Sequence, residues 1–298
     1  MSKEDLELLK FYHEVGVDCT LKESEEEKVE DSEDNRFTQP PIIQTADTGI
    51  QEANIDSRVH YSNDTKVSSG FTFKQPLCNE SSDLKESKNF FPSDWIIEAR
   101  KLASKCDSVD ELMDVVKSFG GCEIKKTATN TVFSDGNQNA KIMLIGEAPG
   151  ANEDLQGIPF CGASGILLDK MLNSIGLDRT KVYISNAVFW RPPGNRKPTD
   201  LELDMCRPFV ERHIALVAPQ ILILVGGIAC YSLLDNTKTI SNLRGRFHTY
   251  TNQYLSNSIT TAAIFHPAYL LRQPLQKRLA WEDLRKIREY LNNNGSSA

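Results

Sequence analysis

The stretch Lys141-Ile-Met-Leu-Ile-Gly146, followed by Glu147-Ala-Pro-Gly150, decides the fold class of this chain. A short apolar run that ends in a turn rich in Gly and Pro is typical of a buried parallel strand. Three more runs share this form, starting at Val182, Ile221 and Thr261 and ending in Asn, Gly or His. The four runs therefore predict four strands of one sheet.

Segments with apolar residues three and four positions apart precede, separate and follow these strands, as packed helices require. They cover residues 94–105, 109–119, 164–175, 199–217, 227–234 and 279–291. Strands that alternate with helices predict a parallel sheet with helices on both faces. We expect an α/β protein, a three-layer α/β/α sandwich around a central, mainly parallel four-stranded sheet.

The 298 residues divide into three parts of different composition. Residues 1–17 predict a short amphipathic helix. Residues 18–90 are so polar that the apolar surface they could bury would not offset the conformational entropy lost on ordering, so we expect a disordered acidic linker there. Residues 91–298 contain the predicted strands and the helices around them, so we expect one folded domain there. The first 90 residues carry 20 acids and 10 bases, whereas the rest carry 21 acids and 24 bases. The overall charge of -7 therefore does not exclude a polyanionic partner of the domain.

The sequence also predicts the compartment. No apolar run reaches the roughly 18 residues that cross a bilayer, and the N-terminus lacks the features of a signal peptide. The seven cysteines are widely spaced and include no Cys-x-x-Cys pair, which favours a reducing compartment. We expect a cytoplasmic protein that is not associated with a membrane.

Polar side chains follow three of the four predicted strands. Glu147, Asn186 and His266 stand at strand ends, where ligands of such sheets collect, and Phe160 lies on the loop after the first strand. Singly, each has an ordinary structural interpretation as a turn, cap or core residue. Together, an aromatic face, an amide and an imidazole favour a flat heterocyclic base as the ligand.

The loop after the second strand is basic and rich in Pro and Gly. Its residues Arg191, Asn195 and Arg196 suit contact with a phosphate backbone. An ordinary surface loop can have the same composition, so this alternative stays open.

Four ordered motifs resemble the family 4 uracil-DNA glycosylases. They are Gly146-Glu-Ala-Pro-Gly150, Gly157-Ile-Pro-Phe160, the segment from Asn186 through Arg191-Pro-Pro to Asn195-Arg196, and His266-Pro-Ala-Tyr-Leu-Leu-Arg272. The resemblance covers about residues 119–291 and implies the uracil-DNA glycosylase fold. It implies hydrolysis of the N-glycosidic bond of flipped-out uracil, which initiates base-excision repair.

The resemblance also implies roles for single residues. Phe160 would stack on the uracil, Asn186 would read its polar edge, and His266 would hydrogen-bond its O2 atom. Glu147 and the backbone of Ala148 would line the pocket near the sugar. The loop that pushes into the duplex would hold Leu270, Leu271 and Arg272.

The chain departs from the family pattern in two respects. Relatives with Gly-Gln-Asp-Pro carry a water-activating Asp where this chain has Ala148, so we expect Glu147 to position the water, with Glu153 and Asp154 behind it. The second departure concerns the family's 4Fe-4S cluster. Its four cysteine positions hold Phe119, Cys122, Trp190 and Cys206, and two thiolates cannot supply four ligands. We expect no cofactor and two vestigial cysteines; the alternative is a cluster as in the family.

Other functions remain open at this point. One is a phosphate-transfer enzyme with a cradle at residues 146–150, although the Gly-x-x-x-x-Gly-Lys pattern is absent. Others are a catalytically altered protein that binds uracil or damaged DNA, and a glycosylase with broader specificity for deaminated bases. The N-terminal region is either a plain solubilising linker or a tether to a repair or replication partner.

Overall fold

The computed structural model describes residues 3–16, 91–234 and 237–295. The predicted linker at residues 18–90 lies outside the described residues. The helices of the described part are α1 Lys3–Glu14, α2 Pro92–Ala103, α3 Val109–Ser118, α4 Ala151–Gln156, α5 Ala163–Asn173, α6 Asp200–Val217, α7 Gly227–Leu233, α8 Ile240–Leu243, α9 Pro267–Arg272 and α10 Lys277–Asn293. The strands are β1 Asp135–Gly136, β2 Ile142–Gly146, β3 Tyr183–Asn186, β4 Ile221–Val225, β5 Phe247–Tyr250 and β6 Ile259–Ile264.

The sheet confirms the α/β fold class and corrects the predicted number of strands. Its order is β1-β3-β2-β4-β6-β5, and the four inner strands are the predicted parallel ones. The sheet has six strands, because β1 and β5 add antiparallel pairings at its two edges. β1 is two residues long and β5 is largely exposed, so neither forms the continuous apolar run by which the inner strands are recognised.

The inner strands are buried on both faces, which explains their uninterrupted apolar sequence. Met143 and Ile145 belong to the core under α2, α3, α6 and α7, whereas Leu144 faces the core under α5, α9 and α10. This is the period of two that a strand imposes on its side chains. The three-layer arrangement brings the carboxyl ends of β2, β3, β4 and β6 to one edge of the sheet.

Helix α1 packs against α10. Phe11 is 1% exposed, and its ring stacks on Trp281 with centroids 4.8 Å apart. Lys277 donates to the carbonyl of Val15 at 2.8 Å, and Arg288 pairs with Glu7 at 3.0 Å. The buried side of α1, with Phe11, thus packs against α10. No helix in the described ranges is long and apolar enough to cross a membrane.

Candidate active site

A cavity of about 900 Å³ opens where the parallel strands end. Its walls include the four residues expected to meet there: Glu147, Phe160, Asn186 and His266. The cavity is far larger than a single base, and it continues along the loops that follow β3 and α7. This is the crevice in which open α/β sheets bind their ligands.

Gly146 makes room for two of these side chains. It pairs with Asn186 across the parallel strands β2 and β3. A β-carbon on Gly146 would lie 2.4 Å from Asn186 Oδ1 and 2.5 Å from Phe160 Cζ. The amide and the aromatic ring therefore meet over the backbone of Gly146, and any side chain there would displace both.

Asn186 carries an unsatisfied acceptor. The residue is 1% exposed, and its Oδ1 has no hydrogen-bond donor among the described residues. A buried acceptor without a partner costs free energy, roughly 1–3 kcal/mol. Such a group at the wall of a cavity indicates that a ligand supplies the missing donor.

His266 lies at the N-terminal end of α9 with a defined tautomer. Its Nδ1 accepts from the backbone N–H of Ala268 at 3.1 Å, which leaves Nε2 to carry the proton. Burial, aided by the charge of Arg272, lowers the pKa of His266 to about 4, against an opposing effect of Glu153. The imidazole is therefore a neutral donor at pH 7. Its ring lies 5.6 Å from that of Phe160.

Space for the imidazole comes from Gly226, at the end of β4. Gly226 has a φ of +98°, and a β-carbon there would lie 2.9 Å from the β-carbon of His266. The left-handed backbone and the missing side chain are both properties of glycine.

Glu147 is half-buried and lines the cavity. Burial raises the pKa of its carboxyl group, while Lys197 and Arg272 oppose that rise. A carboxylate with a raised pKa is a suitable group to orient or accept a proton from water. Ala148 lines the same wall and offers only its methyl group and backbone.

The two other acids named with Glu147 are occupied by backbone amides. Glu153 accepts from Gly150 N at 3.1 Å and from Gly162 N at 2.8 Å. Asp154 is 4% exposed and accepts from the amides of Thr129 and Asn130. Among the described residues, no backbone amide donates a comparable hydrogen bond to the carboxylate of Glu147.

The loop after β3 brings two of its three named residues to the cavity. Asn195 and Arg196 line it, whereas Arg191 does not, and Arg191 donates to Asn195 Oδ1 at 2.7 Å. Arg196 forms two hydrogen bonds, of 2.8 and 2.6 Å, with the carboxylate of Glu202. Its guanidinium group is thus partly engaged within the protein.

The loop expected to enter DNA requires one correction. Leu270 is fully buried at 0% exposure, because it faces the core between α9 and α5. It is not placed to contact DNA. Leu271 is 45% exposed, and Arg272 lines the cavity. The two C-terminal residues of the motif are therefore the accessible ones.

Sequence reasoning missed part of the cavity wall. Tyr231, Lys238 and Ser241 border its far end, on α7 and on the segment leading through α8. No strand ends next to them, so the rule that pointed to Glu147, Asn186 and His266 gives no signal there. A polar residue in a loop acquires its role only through the tertiary fold.

Comparisons with known proteins agree with this geometry. A family model described as "Uracil DNA glycosylase superfamily" matches residues 133–285. A type-4 uracil-DNA glycosylase of Archaeoglobus fulgidus is 38% identical over 187 residues, which are 61% of this chain and 93% of that protein. The chain belongs to the type-4 uracil-DNA glycosylase family. Fellow members from Sulfurisphaera tokodaii and Thermotoga maritima are 37% and 34% identical, over 84% and 98% of their own lengths.

In this type-4 member, the four positions expected to ligate a 4Fe-4S cluster do not fit one. Phe119 packs edge-on against Trp95 and Phe209, with centroids 5.7 and 5.0 Å away. Trp190 is 1% exposed and donates to Thr131 Oγ1 at 3.0 Å. Two bulky rings therefore occupy positions that would have to supply thiolates.

The two retained cysteines are both fully buried. Interaction with Cys206 lowers the pKa of Cys122, whereas burial raises the pKa of Cys206. In the described residues, no group of three or more His, Cys, Asp or Glu side chains is gathered to hold a metal ion.

Proposed function

We propose that this chain is a uracil-DNA glycosylase that hydrolyses the N-glycosidic bond of uracil flipped out of DNA, the first step of base-excision repair. The observation that carries the proposal is the unpaired Asn186 Oδ1, buried beside Phe160 and His266 in one cavity. The N3–H of uracil is the donor that this acceptor lacks. Membership in the type-4 family supports the same substrate.

Selection against cytosine follows from the same amide. With Oδ1 accepting from N3–H, the Asn186 amide can donate to the O4 atom of uracil. Cytosine presents an unprotonated N3 and an amino group, so both contacts would be mismatched. Sites that bind through hydrogen bonds discriminate strongly, because the wrong ligand leaves buried polar groups unpaired.

Departure of the base is assisted by His266. Negative charge develops on uracil O2 as the glycosidic bond breaks, and the neutral Nε2–H is a donor for that atom. A donor fixed before the reaction requires no reorganisation during it. The Ala268 amide provides this fixation through Nδ1.

Capture of the sugar cation is assigned to Glu147. The bond breaks in a largely dissociative manner, and the carboxylate of Glu147 positions the water that attacks the oxocarbenium-like sugar. The half-buried position of Glu147 in the cavity wall supports this role. Glu153 and Asp154 are less suitable, because their carboxylates already accept hydrogen bonds from backbone amides.

On the DNA side, we assign the wedge to Leu271 and phosphate contacts to Arg272, Arg191 and the exposed Asn195–Arg196 turn. An exposed apolar side chain at the edge of the base cavity is what unstacking a duplex requires. Lys197 adds a positive charge on the same side.

The protein acts without a 4Fe-4S cluster. Phe119 and Trp190 pack into the local core with partners of their own, and only two of the four positions carry a thiol. The test is iron analysis with absorbance near 400 nm: a colourless, iron-free and active protein agrees, whereas stoichiometric iron contradicts it.

We further propose a monomer that acts at the nucleoid of a bacterial cytoplasm, with the N-terminal region as the contact for any repair or replication partner.

The function is tested with oligonucleotides carrying U:G, U:A, single-stranded U or T:G. A free abasic product from the uracil strands is expected. A protein–DNA adduct on denaturing gels would instead indicate covalent trapping, and unchanged substrate would indicate a binding protein. Asn186→Ala is expected to lose at least about 100-fold in rate, whereas the exposed control Asn257→Ala keeps the wild-type rate. The T:G strand reports substrate breadth.

A further inference from the structure

Phe160, the aromatic wall of the cavity, has an unusual backbone. Its φ is +53°, in the left-handed region that bulky residues rarely adopt, while its side chain is only 5% exposed. Such a conformation is energetically unfavourable and persists only where the surroundings impose it. The ring is therefore held in place by specific contacts.

Arg179 supplies these contacts from outside the cavity. Its guanidinium group donates from Nη1 to the carbonyl of Pro159 at 3.2 Å, and from Nη2 to the carbonyl of Phe160. Two successive carbonyl groups are thus bound by one planar cation. This fixes the orientation of both peptide planes next to the ring.

Two carboxylates hold Arg179 itself. Nε donates to Asp169 on α5 at 2.9 Å, and Nη1 donates to Asp135 on β1 at 2.6 Å. The side chains of all three residues are only 26–39% exposed. A guanidinium group bound on two edges has little freedom to turn, since its donors form a rigid planar fork.

The backbone of Gly165 lies directly against the Phe160 carbonyl group. A β-carbon on Gly165 would lie 1.6 Å from that oxygen, so the first turn of α5 presses directly on it. The carbonyl is therefore confined between the guanidinium group and the helix backbone. None of Arg179, Asp135 and Asp169 lines the cavity.

We propose that Arg179, held by Asp135 and Asp169, is a positioning residue that keeps Phe160 in its left-handed conformation and thereby sets the platform on which the base stacks. The inference rests on the proposed function only for the identity of the base. Arg179 does not line the cavity, and it acts through the ring of Phe160.

A double-mutant cycle tests this role. Arg179→Gln is expected to lower the single-turnover rate of uracil excision by about 10-fold or more in the wild-type background, but less than about 2-fold when Phe160 is already Ala. Arg179→Lys restores only part of the rate, because an ammonium group cannot bind both carbonyls as a fork. Affinity for abasic-site DNA, which places no base on the platform, is expected to stay unchanged.

A crystal structure of Arg179→Gln gives a readout that does not depend on activity. Phe160 is expected to leave the left-handed region, and an unchanged Phe160 backbone would overturn the proposal. Equal losses in both backgrounds would also overturn it. If Arg179→Gln does not fold, Asp169→Asn, which removes one of the two carboxylates, is expected to show a smaller loss with the same dependence on Phe160.

Arg288→Gln is the matched control. It breaks the ion pair between Arg288 on α10 and Glu7 on α1, neither of which lines the cavity, and is expected to keep the wild-type rate. Failure of the proposed function is recognised separately, because the wild-type protein would then release no uracil. The crystallographic readout would still decide the role of Arg179.

Discussion

The Nδ1 atom of His266 accepts the backbone N–H of Ala268 at 3.1 Å, and this bond fixes the tautomer of the imidazole. With a pKa lowered to about 4, the ring binds no proton until the pH falls well below the usual histidine range. It therefore stays a neutral Nε2–H donor throughout the physiological range.

The first prediction is that titration of His266 does not affect the rate from about pH 5 to about pH 8. The single-turnover rate is measured across this range in Glu147→Gln, so that titration of the Glu147 carboxyl group does not contribute. His266→Gln is expected to lose about 100-fold or more. An inflection near pH 6.5 that disappears in His266→Gln would contradict a neutral imidazole.

The second prediction concerns Glu147. Its carboxylate form exists only above its raised pKa, so the wild-type rate is expected to fall with decreasing pH at a point above the usual glutamate pKa of about 4.3. Glu147→Gln removes this fall of the rate at low pH and lowers the rate about 100-fold. The exposed control Glu289→Gln keeps the wild-type rate and its fall at low pH. A full single-turnover rate in Glu147→Gln would remove the assignment.

The third prediction concerns the space over Gly146. Gly146→Ala places a methyl group within 2.4–2.5 Å of both the Asn186 amide and the Phe160 ring, so both must move. Excision is expected to fall about 100-fold. The control is Gly120→Ala, where an added β-carbon meets no atom within 4 Å. Single-turnover rates are compared at equal folded fraction. Wild-type activity in Gly146→Ala would show that the two groups do not read the base together.

The fourth prediction separates stability from activity. Phe11→Ala removes a buried ring stacked on Trp281 and is expected to lower the free energy of unfolding by about 3 kcal/mol. Leu9→Ala, at a position 40% exposed, is expected to cost under about 1 kcal/mol. Both are measured by urea unfolding, and the rate of excision by the folded protein is expected to stay unchanged. A Phe11→Ala protein as stable as wild type would indicate that α1 is not bound to α10.

The strand ends were the most predictable part of this molecule. The apolar runs before Gly146 and Asn186 are long enough to show their period, and parallel strands bring their carboxyl ends together by topology alone. The edge strand Phe247–Tyr250 escaped prediction, because its four residues form no continuous apolar run and two of them are exposed. The burial of Leu270 escaped as well, since only the rotation of α9 decides which residue faces α5.

The sequence by itself determined the α/β class, the family and the meeting of Glu147, Phe160, Asn186 and His266, because these depend on local periodicity and on ordered motifs at strand ends. Only the tertiary structure decided which acids are occupied by amides, which tautomer His266 adopts and how Arg179 holds Phe160. The bonds of Arg179 with Asp135 and of Asp154 with Thr129 join residues far apart in the chain. The His266–Ala268 bond is local, but it depends on the orientation of the backbone at the start of α9. Local sequence patterns carry no record of such contacts.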